Sequence, residues 1–250
     1  MHMRKKKWAR PELAVCPYYV DQKEIEAVRG HWRERFSRPE RPLHVELGCG
    51  KGVSTAQLVH ANRDINYLAV DISSDVLGDT RRNIAAAYGD EAPDNVLIVK
   101  GDIGYIRTFV APEDSVSRLY INFCNPWPRI RHHKRRLTHP RQLLQYRDLL
   151  TEDGEIWFKT DDDGLFHDSL AYLAACGFET RYLTYDLHRD GFAPNYVSEH
   201  EQRFSAEGIP IKFGIFRRLP EVAPSEDLRR WLRQAEEPDE DTAEDAAPES

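Results

Sequence analysis

Three glycines spaced two apart, Gly48, Gly50 and Gly52, follow the apolar run Leu43-His44-Val45-Glu46-Leu47 and precede a stretch of helical periodicity. Glycine is needed where a chain turns sharply and its backbone must approach a ligand with no Cβ in the way. The G-x-G-x-x-G spacing of pyrophosphate-binding loops is not met, because Val53 occupies its third position. Acids accompany the loop: Glu46 two residues ahead of it, Asp71 at the end of the next strand candidate, and Asp102 after the third. A carboxylate in the place of Asp71 accepts hydrogen bonds from ribose hydroxyls in doubly wound nucleotide sites. The bland alternative is a glycine turn with surface acids, and it needs three successive strand ends to carry an acid by coincidence.

A second cluster runs from Asn122 to Leu137 and reads NFCNPWPRIRHHKRRL. Pro126 and Pro128 stiffen it by fixing φ, and Trp127 offers an apolar wall or a face on which a base can stack. From Arg129 to Arg141 there are six Arg or Lys residues and three histidines, a composition suited to phosphate backbones. Alone, such a run reads better as a solvated loop; its place beside the glycine loop reverses that preference. The block from Arg4 to Arg10 likewise fits either RNA contacts or a solvated terminus. Further on, Asp161 ends the run Phe158-Lys159-Thr160, where an acid serves as substrate ligand or as N-cap. Ser198 and Glu201 form an S-x-x-E capping box at a helix start.

The elements that must position these residues alternate as strands and helices from about residue 42. That rhythm predicts an α/β domain on a mainly parallel sheet. Strand candidates are 43–47, 65–70, 95–99, 116–123, 155–160, 178–185 and 211–219. The last two are joined without a crossover long enough for a parallel connection, so an antiparallel end to the sheet is expected. Helix candidates are 21–36, 53–62, 74–88, 103–110, 139–150, 165–176 and 225–237. Three parts follow: residues 1–41 as a basic extension and edge helix, 42–219 as the main domain, and 220–250 as a helix with an acidic tail. In a sheet of this kind ligands collect beyond the carboxyl ends of the strands, which brings the glycine loop and the tryptophan loop together.

Composition narrows the class. No window approaches the ~18 uninterrupted apolar residues of a membrane helix, and the start, MHMRKKKWARPE, lacks the pattern of a secretory signal; a soluble cytoplasmic protein with no membrane partner is expected. Cys16, Cys49, Cys124 and Cys176 lie far apart with no C-x-x-C pair, so neither a metal site nor a disulfide framework is expected. The net charge of -7 is misleading, because the last fifteen residues carry eight acids and no base, leaving +1 for residues 1–235. Such a tail is expected to be disordered.

The glycine motif resembles the first motif of class I S-adenosylmethionine methyltransferases, over roughly residues 43–120. That resemblance implies a Rossmann-like, mainly parallel seven-stranded sheet with an antiparallel last strand and helices on both faces. It also implies S-adenosylmethionine as cofactor, held by Glu46, Gly48, Gly50, Asp71 and Asp102, with Asp102 near the adenine amino group. The later segment N-F-x-x-P-W-P-[KR]-x-R-H-x-K-R-R-L looks like the signature of the tRNA (guanine-N(7))-methyltransferase family, over about residues 42–218. The resemblance implies tRNA as partner, a variable-loop guanine as target, and Asn125 as the catalytic and cofactor-side residue. It further implies Arg129, Asp161, Ser198 and Glu201 on the substrate, with a carboxylate of Asp161 or Glu201 on the guanine Watson–Crick edge. The family usually has P-D-P-W, whereas this chain has Cys124-Asn125-Pro126-Trp127. Guanine N(7) carries an in-plane lone pair and no proton, so attack needs no general base and positioning is the main requirement. Two other readings remain open at this point: a non-catalytic RNA-binding protein, and a methyltransferase for a small molecule or a protein. Oligomeric state, monomer or homodimer, is also open.

Overall fold

A computed structural model describes residues 5–236, so Arg4 and the acidic stretch after Glu236 lie outside the described residues. The first elements are α1 (Ala9–Ala14), β1 (Tyr19–Val20) and α2 (Ile25–Val28). A βαβ series follows: β2 (Leu43–Leu47), α3 (Val53–Ala61), β3 (Asn66–Asp71), α4 (Ser74–Tyr88), β4 (Val96–Lys100) and β5 (Val116–Asn122). The chain continues with α5 (Pro140–Leu149), β6 (Leu150–Thr160), α6 (Asp163–Ala175), β7 (Phe178–Thr184), α7 (Glu199–Ala206), β8 (Lys212–Arg218) and α8 (Glu226–Glu236). Among the described residues no helix is long and apolar enough to cross a membrane.

All eight strands join one sheet in the order β1-β4-β3-β2-β5-β6-β8-β7. Strands β1 to β6 pair in parallel, and β8 runs antiparallel to both β6 and β7. The antiparallel last strand agrees with expectation. The eighth strand is the two-residue β1, too short for periodicity to reveal, which pairs Tyr19 with Ile98 and Val20 with Val99. Strand order reverses between β2 and β5, and right-handed crossovers then put α3 and α4 on one face and α5 and α6 on the other. Ligand sites in open sheets form at such a reversal.

β2, β3 and β4 are buried along nearly their whole length, as a strand covered on both faces must be. α4 starts at a serine cap, Ser73, whose hydroxyl accepts from Val76 N. Two expected helices are corrected. The stretch 21–36 breaks at Gly30, where φ is +85°, and resumes as a 3₁₀ turn over Trp32–Arg35. The cause is Asp114, whose buried carboxylate accepts from Gly30 N and Trp32 N at 3.0 Å each and removes both amides from a helical ladder. The stretch 103–110 is a 3₁₀ helix over Ile103–Thr108, kinked at Tyr105.

Candidate active site

The glycine loop leaves β2 with Gly48, Gly50 and Gly52 all at positive φ, between +57° and +83°. At Gly52 an added Cβ would lie 2.5 Å from Thr80 Cγ2, so this glycine is required for packing α3 on α4. Gly50 has nothing within 4 Å of the corresponding point, and there the loop opens into a cleft of about 480 Å³. Glu46, Gly48, Gly50, Asn122, Phe123 and Ser198 all line that cleft.

Asp71 stands at the end of β3 with its carboxylate turned to the loop, accepting from Gly50 N at 3.2 Å and Ser73 N at 2.9 Å. Burial pushes it up from the usual carboxylate range, and those backbone donors oppose the shift. Glu46 is almost fully buried. It accepts from Thr55 Oγ1 at 2.6 Å, Tyr67 OH at 3.1 Å and Asn122 Nδ2 at 3.1 Å, while burial raises its carboxyl against these three donors. Asp102 lies one strand further out and caps its 3₁₀ helix by accepting from Gly104 N at 2.9 Å. It is not on the cleft wall.

The loop after β5 is rigid for identifiable reasons. Phe123 and Trp127 take positive φ, +51° and +43°. The Asn125 side chain accepts from Trp127 N at 3.0 Å, closing an Asx turn. Asn125 is exposed and does not line the cleft, whereas Asn122 and Phe123 just before it do. Arg136 is nearly fully buried: it donates to Pro126 O at 2.6 Å, Asp168 Oδ2 at 2.6 Å and Trp127 O at 3.4 Å. One of the six cations of the basic run is thus spent on holding the loop. Arg129 is exposed at the cap of the 3₁₀ turn Ile130–Arg135, and the Arg135 guanidinium lies over the Trp127 ring at 5.2 Å. Burial pushes the Cys124 thiol up to about 12, an inert group behind the loop.

On the far side, the two possible duties of Asp161 separate onto two residues. Asp162 is the cap of α6, accepting from Leu165 N at 2.6 Å. The Asp161 carboxylate is half-buried with no hydrogen bond or ion pair among the described residues. Ser198 caps α7 by accepting from Glu201 N at 3.2 Å, but the reciprocal half of the capping box is missing. Glu201 turns inward and is wholly buried, with Oε2 2.7 Å from Lys159 Nζ and Oε1 2.6 Å from Asn195 Nδ2 and 3.1 Å from His188 Nε2. This carboxylate has internal partners where the sequence suggested an open one. Burial lowers the Lys159 ammonium and the Glu201 charge opposes that shift.

The segment 195–201 is thereby strapped over the cleft. Lys51 on the glycine loop pairs with Glu199 at 3.0 Å, and Asn62 Nδ2 donates to Tyr196 OH at 2.7 Å. Phe123 stacks on the His200 ring at 6.0 Å. Sequence reasoning missed Asn122, Lys159 and Asn195. The signal for the first two was their place at the carboxyl ends of β5 and β6; Asn195 carries none.

Comparison with known proteins agrees with this geometry. A family model described as "Putative methyltransferase" matches residues 40–213. The tRNA (guanine-N(7)-)-methyltransferase of Clostridium perfringens (strain SM101 / Type A) is 49% identical over 221 residues, covering 88% of this chain and 100% of that protein. The protein of the same description from Clostridium beijerinckii is 51% identical over 218 residues, covering 86% and 98%. Among solved structures, the 16S rRNA methyltransferase KamB aligns with a TM-score of 0.52 at 12% identity, covering 80% of this chain and 94% of that one, a likeness of fold alone. The fold is that of class I methyltransferases, and by the identity along its length the chain belongs to the tRNA (guanine-N(7)-)-methyltransferase family.

Proposed function

We propose that this protein transfers the methyl group of S-adenosylmethionine to N(7) of a guanine in the variable loop of tRNA, in the cytoplasm. The single observation that carries the reading is a glycine-turn cleft at the sheet reversal, bordered by the Trp127 loop and its cations, in a chain of this family. The residues present fit the cofactor. Gly50 leaves open space where a side chain would stand, Asp71 supplies acceptors for ribose hydroxyls, and Asp102, one strand beyond the cleft wall, keeps Oδ2 for the adenine amino group of a cofactor reaching past the cleft while Oδ1 takes Gly104 N. Glu46 and Ser198 offer polar walls for the amino-acid end. When bound, S-adenosylmethionine supplies an electrophilic methyl on a sulfonium.

The chain's own contribution is binding, orientation and exclusion of water. Asp161, whose carboxylate is uncommitted, suits the adjacent N–H donors of the guanine Watson–Crick edge. Glu201, with its oxygens already engaged, acts through Ser198 by fixing the start of α7. Trp127 provides a stacking face and Arg129 a phosphate contact. Asn125 replaces a carboxylate by an amide. Its NH2 is a donor that a carboxylate lacks, and it suits guanine O6, the acceptor next to N7, while leaving the N7 lone pair free to attack. No proton leaves N(7), so the loss of a base at this position removes electrostatic stabilisation and not a chemical step.

A radiolabelled methyl-transfer assay on tRNA, followed by nucleoside analysis, is expected to yield 7-methylguanosine. Absence of that nucleoside with intact S-adenosylhomocysteine binding rejects the reading.

A further inference from the structure

A groove of about 370 Å³ lies beside Asp71, between the N-terminal segment and the ends of β3 and β4. Its walls carry Lys5, Lys6, Lys7, Arg10 and Lys100 against one acid, Asp75. Lys6 is occupied: its amide donates to Asp75 Oδ1 at 3.2 Å and its ammonium pairs with Asp79. Among the described residues, none of Lys5, Lys7, Arg10 and Lys100 enters an ion pair.

The groove is rigid, because α1 is docked on α4. Gly78 sits in mid-helix, at a cost of about 1 kcal/mol relative to alanine. An added Cβ there would lie 2.6 Å from Ala9 Cβ, so the glycine is what lets the two helices touch. The Arg82 guanidinium stacks on Trp8 at 3.4 Å, and Glu12 accepts from Arg81 at 3.1 Å and Arg82 at 3.0 Å. Folding therefore holds the cations at the carboxyl edge of the sheet instead of leaving them on a loose terminus. Like charges gathered in a concave surface repel one another, and a polyanion turns that repulsion into binding.

We propose that this groove is a second tRNA backbone site, taking phosphates of the same tRNA whose guanine enters the cleft. The proposal rests on the function given above and adds a partner surface to it. Lys100 ends β4 and the Trp127 loop follows β5, three strand spacings away through β3 and β2. At about 4.8 Å per spacing the two cationic edges stand about 14 Å apart, with the cleft opening between them. RNA held at both edges is set across the cleft. The groove contributes affinity and register without reading sequence.

The test uses full-length protein carrying Lys5→Gln, Lys7→Gln, Arg10→Gln and Lys100→Gln together, with tRNA titrated over a range of KCl concentrations. The expected result is a roughly tenfold rise in KM and Kd for tRNA near physiological salt, and a log–log salt slope shallower by about three. Unchanged kcat and unchanged calorimetric affinity for S-adenosylhomocysteine are part of the expectation. A charge-preserving Lys5→Arg, Lys7→Arg, Lys100→Arg protein is expected to keep wild-type values. Should the fourfold variant unfold early, single Lys5→Gln and Lys7→Gln proteins replace it, each flattening the slope by about 0.7–0.9. Unaltered salt slope and KM overturn the groove, and so does a parallel loss of S-adenosylhomocysteine binding, which would assign it to the cofactor. A wild type that makes no 7-methylguanosine removes the underlying function, whereas a fourfold variant indistinguishable from an active wild type removes only the groove.

Discussion

The two walls of the cleft are held by different physics. The glycine wall is built from main chain: three residues at positive φ, with Asp71 tied to the amides of Gly50 and Ser73. The opposite wall, the strap before α7, hangs on side-chain charge withdrawn from water, with Lys159, Asn195 and His188 converging on Glu201. A main-chain site tolerates changes of neighbouring side chains and is sensitive to any added Cβ. A buried ion pair is the reverse, because removal of one partner strands the other in a medium that solvates it poorly.

The largest effect is expected at the charged wall. Glu201→Ala leaves the Lys159 ammonium buried and uncompensated, and is expected to lower unfolding stability by about 3–5 kcal/mol in urea titration. The Lys159→Met, Glu201→Leu pair is expected to regain most of it; a pair as unstable as the sum of the single changes would erase the contrast between the walls. Next comes Gly52→Ala, at about 2–4 kcal/mol, from left-handed strain together with overlap against Thr80. Gly50→Ala carries only the backbone strain, about 1–2 kcal/mol, and its methyl projects into the cleft. Calorimetry is expected to show a larger loss of S-adenosylhomocysteine affinity than of stability, and equal behaviour of the two glycine variants would contradict the assignment of Gly50 to the ligand and Gly52 to packing.

A pH test follows from two buried histidines. Burial, with Arg118 adding to it, holds His44 down at about 3, and burial with the neighbouring Arg141 holds His139 at about 4. Both stay neutral in the fold while the unfolded chain protonates near 6.5. Their contribution is therefore complete above pH 6.5 and is lost as the pH falls, towards about 4 for His139 and about 3 for His44, at about 1.4 kcal/mol per pH unit for each. Glu46 and Asp71, raised by burial, act in the opposite sense on acidification. His139→Asn keeps a side-chain acceptor at the start of α5 and is expected to flatten the acid limb of urea midpoints against pH; an unaltered limb would put the titration elsewhere. The smallest effect is expected at the rim. Asn125→Asp restores a carboxylate beside the cationic product and is expected to raise kcat several-fold, about 1 kcal/mol, with little change in KM for S-adenosylmethionine.

Local signals gave the sequence reading its strongest points. Glycine spacing and branched apolar runs located β2 to β5 and the cleft, and Glu46, Gly48, Gly50, Asp71 and Ser198 do border or support it. Readings that depended on tertiary partners missed their element or stayed open. A helical period across 21–36 cannot register that Asp114, some eighty residues later, takes the amides around Gly30. Three consecutive acids do not reveal which one caps, and the S-x-x-E pattern does not reveal that Lys159 and Asn195 divert Glu201 inward. The basic terminus stayed open between RNA contacts and a solvated arm because the glycine that docks it, Gly78, lies in another helix.

The placement of β8 between β6 and β7 has a consequence for biosynthesis. β7 leaves the ribosome before its hydrogen-bonding neighbour, and β6 exposes the same kind of unfilled edge until residues 212–218 emerge. Two open strand edges are a template for pairing between nascent chains. A stalled or truncated product ending before Lys212 therefore keeps the whole ligand-binding half of the sheet yet is the form most prone to aggregate, and the final strand acts as the wedge that closes both edges at once.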